Sequence, residues 1–448
     1  MSGSPLNHTQ SAGAPGDRLG VRAGMAYGAL GMPLAFVALP LYVHLPNHYA
    51  SAFGVSLTTL GVVLLLARLF DAFTDPWLGR LSDGLFARSH RWVLVTGALS
   101  GILMVLGMGA LFFPPESMKA HLPAWALAGL LLTYTAFSQV AIAHQSWAAR
   151  LGGHEVWRAQ IVAWREGAAL VGVILASVLP SLLGWPAWLT VFAVLLVLGW
   201  WAWWWAPVPA SSGAPATGAA RQLTSLVHPW RFPAFRRLIG VFVLSGLAGA
   251  MPATLVLFFI QDRLGASDME PVFLATYFVA AAVSMPWWMR VVRRIGLART
   301  WLAGMVVASV TFIWAATLGT GDIWGFWLVC ALSGIALGTD LAIPSALLAG
   351  LIARQGDQGQ REGAYFGWWN LATKLNLALA AGLSLPLLGW LGYTPGTTDP
   401  AGLSALTMAY AVIPCGIKLI AALCLYAGFV RGHPPLETAS PNPVLIKD

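Results

Sequence analysis

Charged side chains are scarce in this chain. Asp, Glu, Lys and Arg make up 9% of its 448 residues, where a soluble domain carries about 25%. With 58% hydrophobic residues and a mean hydropathy of +0.72, a fold in water would have too little polar surface to cover its core. Lipid is therefore the solvent, and a soluble enzyme or binding module is excluded. Cysteine is nearly absent: Cys330, Cys415 and Cys424 lie in apolar runs, with neither metal-ligand spacing nor a paired framework, and read as small core residues. The apolar segments contain no His-x-x-x-His, Ser/Lys or Asp/His constellation, which argues against a membrane-embedded enzyme. The start of the chain lacks the basic residues and apolar stretch of a signal peptide. Residues 1–22 and 432–448 are polar and rich in Pro, with Gly and Ser in the first of them, and are expected to form disordered tails.

What is present is a series of twelve apolar windows: 24–44, 54–76, 92–113, 123–146, 161–183, 186–206, 237–260, 270–292, 298–319, 324–353, 364–391 and 402–430. A helix crosses a bilayer in roughly 20 such residues. The longest break, 207–235, is polar, Pro/Ala/Ser-rich and basic. The expected fold is an all-α membrane protein of twelve transmembrane helices, with six-helix halves over 23–206 and 236–431 joined by a central loop. Two such halves are a layout of secondary transporters. Nineteen of the 25 basic residues fall in the tails and loops of one side. Only Lys119 and Arg263 lie on the other side, and Arg68, Arg165, Lys374 and Lys418 fall inside spans. Basic loops stay in the cytoplasm, so both termini are expected there, in a bacterial inner membrane. The same placement accounts for the net charge of +8 without a nucleic-acid partner.

A charge at mid-membrane costs roughly 3 kcal/mol on insertion scales, so the charges inside the spans are the candidate functional residues. In the second window Asp71 and Asp75 are four apart and stack on one face of a helix, with Arg68 a turn earlier. Two such carboxylates repel in low dielectric; one keeps a proton or a cation sits between them. Thr74 adds a neutral oxygen, and Ser138 of the fourth window offers another. The plainer reading is a salt bridge from Arg68 to Asp71. In the eleventh window Lys374 has no charge within ten residues, with Asn370 as a polar neighbour and, beside it, Trp369, whose indole face is a candidate to stack on a sugar. It needs a carboxylate, a solute hydroxyl or a solute anion. Arg165 and Glu166 are consecutive and point about 100° apart on a helix, so they are not expected to bridge each other. Asp340 lies one turn before Pro344, which removes a backbone donor and marks a kink or cavity wall. Gln145 and His144 belong to a polar stretch of the fourth window. His144 reads as a packing residue, and Lys418 has no evident local partner. Gly79, Asp83, Gly84 and Arg88 follow the second window, where the two glycines allow a tight turn. There Gly79, Asp83 and Arg88 form a candidate conformational latch, with Asp83 reaching the other half.

The stretches ARLFDAFTDPWLGRLSD, YGALGMP and QREGAYFGWWNLATKLNLALAAGLSLPLLGWLGYTPG resemble the glycoside–pentoside–hexuronide:cation symporters of the major facilitator superfamily. The resemblance spans about 24–430. It implies that Asp71, Asp75, Thr74 and Ser138 form an H⁺ or Na⁺ site, with Lys374 and Arg68 close to it, and no other cofactor or metal. Galactoside carriers of that family hold acids at the positions of Pro33 and Ala141, and an aromatic ring at that of Gln145. The ion machinery is thus retained while the galactoside machinery is not. The function expected is cation-coupled symport of a small polar, sugar-like solute by a monomer in contact with lipid. The alternative is a carrier of lipid or amphiphile on the same fold.

Overall fold

The computed structural model describes residues 20–41, 45–55, 57–209, 226–393 and 396–431. Residues 1–19 and 432–448, read as tails, and most of the central loop lie outside the described residues.

The first span is split into α1 (Val21–Gly28) and α2 (Gly31–Leu39), followed by the short α3 (Leu45–Phe53). Then come α4 (Leu57–Arg88), α5 (His90–Phe112) and α6 (Leu122–Arg150). The fifth and sixth windows run together as α7 (Glu155–Trp204), broken at Gly184, whose φ of 73° lies in the left-handed region. The second half begins with α8 (Pro233–Phe258), α9 (Glu270–Ile295), α10 (Leu297–Ile313) and α11 (Ile323–Arg354). It ends with α12 (Glu362–Trp390) and a last span built from α13 (Pro400–Thr407), a π turn, α14 (Ile413–Leu425) and a second π turn over Tyr426–Val430. Among the described residues nine helices are long and apolar enough to cross a membrane. At 32 residues α4 also has the length, but it carries Arg68, Asp71 and Asp75 in its middle.

Each half has its own apolar core. Tyr27, Phe36, Met104, Trp188 and Trp203 belong to the first, and Phe259, Phe273, Phe326 and Tyr410 to the second. Another cluster joins them: Ile142, Ala149, Ala159 and Val162 pack with Trp301, Ile343 and Phe366.

The turn expected at Gly79 and Gly84 is absent, because α4 stays helical to Arg88 and the chain turns at Ser89, which caps α5 by accepting from the Arg91 amide. The Gly79 side of the helix serves a close crossing instead. A Cβ built on Gly79 would lie 2.1 Å from the Gly363 carbonyl oxygen, and one on Gly363 2.1 Å from that of Gly79. One turn further along α12, a Cβ on Gly367 would lie 2.7 Å from the Asp75 carbonyl oxygen. Only glycine lets α4 and α12 meet backbone to backbone, which sets the helices that carry Asp75 and Lys374 against each other.

Overpacking costs about 1–3 kcal/mol. Gly363→Val is therefore expected to pry this crossing apart. Ala364 is 1% exposed, so a cysteine placed there should pass from protected to readily labelled by a water-soluble maleimide. Unchanged labelling contradicts the packing argument.

Candidate functional site: an acid pair closed by a lysine from the other half

Asp71 and Asp75 lie one turn apart on α4, 5% and 0% exposed. Pro76 follows inside the same helix and withdraws a backbone donor beside them. From the other half, the Lys374 ammonium stands 2.7 Å from Asp71 Oδ2 and 2.8 Å from each Asp75 oxygen. It also donates to Ser138 Oγ at 2.8 Å, and the Ser138 hydroxyl donates to Asp71 Oδ1 at 2.7 Å. Four side chains from α4, α6 and α12 thus form one compact polar cluster.

Charge decides what this cluster can do. Within hydrogen-bond reach are two carboxylates and one ammonium, so with all three ionised one negative charge is left over. Buried ions need compensation because their desolvation costs several kcal/mol each. A proton on one carboxyl, or a monovalent cation among the oxygens, restores neutrality. The Thr74 hydroxyl donates to the Asp71 carbonyl oxygen at 3.0 Å, which leaves its own lone pairs as acceptors.

The other candidates fall into distinct places. Asn370 donates to Gln145 Oε1 at 2.7 Å, a second polar link between the halves. Arg165 and Glu166 do bridge each other, against expectation: the long guanidinium stem reaches around the helix, Nε lying 3.0 Å from Glu166 Oε1. Trp369 is 3% exposed and stacks on Phe242 with ring centroids 3.7 Å apart, buried in the apolar cluster that joins the halves. Arg68 is half-buried on α4. Asp340 sits apart, deep in the second half beside Lys418. His144 is a packing residue: its Nε2 bonds the Tyr27 carbonyl at 2.9 Å and its ring stacks on Tyr27 at 4.1 Å.

At the arginine-rich end, Asp83 accepts from the Gly363 and Ala364 amides at 2.7 and 2.9 Å. These amides belong to the first turn of α12, where a carboxylate also meets the positive end of the helix dipole. Arg150 completes the arrangement, 2.7 Å from Asp83 Oδ1 and 3.0 Å from Glu362 Oε2. Arg354 of α11 pairs with Glu155 of α7 at 3.0 Å. Arg88, expected in this latch, is exposed and forms no ion pair among the described residues. Arg150 and Glu362 were not singled out from the sequence; Arg150 read as one more basic loop residue.

Removing one partner of a buried ion cluster costs about 3–5 kcal/mol. Arg150→Ala is therefore expected to lower the thermal midpoint of the purified protein sharply, and Glu362→Gln in the same chain to recover part of the loss. A null effect of Arg150→Ala contradicts the arrangement.

Residues 23–429 match the family described as MFS/sugar transport protein. The chain is 24% identical to a Salmonella typhimurium protein that carries the provisional name of sulfoquinovose importer, covering 91% of this chain and 89% of that one. By structure it is similar to a bacterial homologue of the iron transporter ferroportin in an outward-facing state, with a TM-score of 0.69 at 16% identity over 92% of this chain and 99% of that one. It is also similar to the Escherichia coli fucose:proton symporter FucP, with a TM-score of 0.63 at 14% identity over 90% and 97%. At these identities the structural likeness shows the fold. The family match goes further: this chain belongs to the MFS/sugar transport family, and is a multi-pass membrane transporter of the major facilitator fold rather than an enzyme.

Proposed function

We propose that the chain drives a sugar or another small polar solute across the bacterial inner membrane by symport with H⁺ or Na⁺. The reading is carried by one observation: Lys374 of the second half occupies the position between two buried carboxylates of the first. A mobile cation in that position neutralises the surplus charge and competes with the lysine. Its arrival therefore weakens a bond that holds the halves together, and its departure restores it. That coupling is what alternating access requires.

The arginine-rich end is the cytoplasmic one on this reading, with both termini on that side. Asp83, Arg150 and Glu362 then hold the cytoplasmic entrance shut, and the solute enters from outside. The names of similar proteins support this direction of transport: one carries the provisional name of sulfoquinovose importer and another is a fucose:proton symporter. The working unit is a monomer, since the cation cluster and the latch are both complete within one chain.

Asp75→Asn tests the ion role. In reconstituted vesicles it is expected to abolish accumulation of solute against its gradient under either an imposed Na⁺ or proton gradient. Downhill exchange of the same solute should persist. Wild-type accumulation in this variant rejects the cation site.

A further inference from the structure

The second half contains a charged cluster of its own. Lys418 on α14 is 6% exposed, and its ammonium lies 2.5 Å from Asp340 Oδ2. The lysine also donates to Ser245 Oγ at 2.8 Å, and the Ser245 carbonyl lies 3.5 Å away. From α10 the Trp301 indole donates to Asp340 Oδ1 at 2.8 Å, and the Ser245 hydroxyl approaches the same oxygen at 3.4 Å. Five helices thus converge on the group: Ser245 from α8, Tyr277 from α9, Trp301 from α10, Asp340 from α11 and Lys418 from α14.

The two ions of this pair are not equally enclosed. The Lys418 side chain is 8% exposed, that of Asp340 25%. Both border a cavity of about 80 Å³ that Ala248, Pro252, Tyr277 and Phe312 also line. A water molecule needs roughly 10–15 Å³ of such space, so the cavity holds several waters. It has room for a hydroxyl-bearing arm of a solute beside the ion pair. An ionised carboxylate has about four acceptor positions. Lys418 and Trp301 fill one each and Ser245 weakly fills a third, which leaves an acceptor for the cavity.

The pair is electrically neutral, unlike the cluster around Lys374, so it has no use for a further cation. The donors of Lys418 are spent on Asp340 and Ser245, so it has little to offer an anion. What remains is a fixed, oriented, charged hydrogen-bond acceptor at the edge of a small, mostly apolar cavity with two aromatic walls. Asp71 and Asp75, the acids at mid-helix in the first half, are committed to Lys374. We infer that Asp340 is the hydroxyl acceptor of the second half: it receives one hydroxyl of a polyhydroxy solute, with Lys418 and Trp301 as positioning residues that hold the carboxylate ionised and aimed.

This inference rests on the reading of the solute as sugar-like and is independent of the cation site. A site built to bond a hydroxyl rejects the analogue that lacks it, because its polar group is left unpaired. The test is calorimetric binding of D-glucose, D-galactose and L-fucose, with the monodeoxy analogues of each, to the purified full chain. In wild type one deoxy position is expected to weaken binding roughly tenfold to a hundredfold, the range for a hydrogen bond to a charged group. In Asp340→Asn the penalty at that position should shrink to a few-fold while the penalties at the others stay. Where Asp340→Asn alone fails to fold, because Lys418 is left unpaired, Asp340→Asn with Lys418→Gln removes both charges and carries the same expectation. A purely structural pair would weaken all sugars alike and leave every ratio intact, which overturns the proposal, as does failure of wild type to bind any of these sugars. Asp75→Asn separates the two readings: it should leave the deoxy ratios unchanged.

Discussion

Two carboxylates and one ammonium share a volume almost closed to water, and the rest of the structure follows from the need to keep that arrangement affordable. Asp75 is fully buried, and in its ionised form it can be so only with a cation against it. The cation supplied by the chain comes from a helix in the other half, so the electrostatics of the site and the docking of the halves are one problem. Gly79, Gly363 and Gly367 solve its geometry by letting α4 and α12 touch backbone to backbone. Asp83, Arg150 and Glu362 repeat the electrostatic solution at the end of the same crossing. Both clusters draw on α4, α6 and α12.

The two lysines inside the bundle contrast in their surroundings. Lys374 faces two acids across the gap between the halves; Lys418 faces one acid within a single half. The first arrangement has surplus negative charge and joins parts that must separate. The second is neutral and moves as one body with its half. On the proposed mechanism, alternating access breaks and remakes the first cluster and carries the second along intact within its half.

Much of this was legible in the sequence. Asp71 and Asp75 declared themselves because an i, i+4 spacing has one meaning on a helix, and Lys374 because an isolated charge in an apolar run demands a partner. The identity of that partner was not local information, since the two helices are distant in sequence. Gly79 was read as a turn and is a contact: the same missing side chain permits either, and only the neighbour decides. Arg165 and Glu166 bridge because a flexible arginine stem overrides the angular separation of adjacent positions. Trp369 looked available to a solute, but an aromatic ring beside polar residues on a helix is as easily turned into the core. Arg150 carried a signal that could have been used: it stands in the last turn of a long apolar helix, with Asp83 and Glu362 at the ends of two others.

The central claim is that Lys374 stands in for the coupling ion. The most direct measurement is equilibrium binding of radioactive sodium, together with proton uptake in weak buffer, on the purified chain and on Lys374→Gln. If the lysine is an internal competitor, its removal leaves the acid pair with a larger surplus of negative charge, and affinity for Na⁺ or H⁺ rises, by roughly tenfold for each 1.4 kcal/mol of lost competition. Weaker or unchanged cation binding in Lys374→Gln contradicts the account.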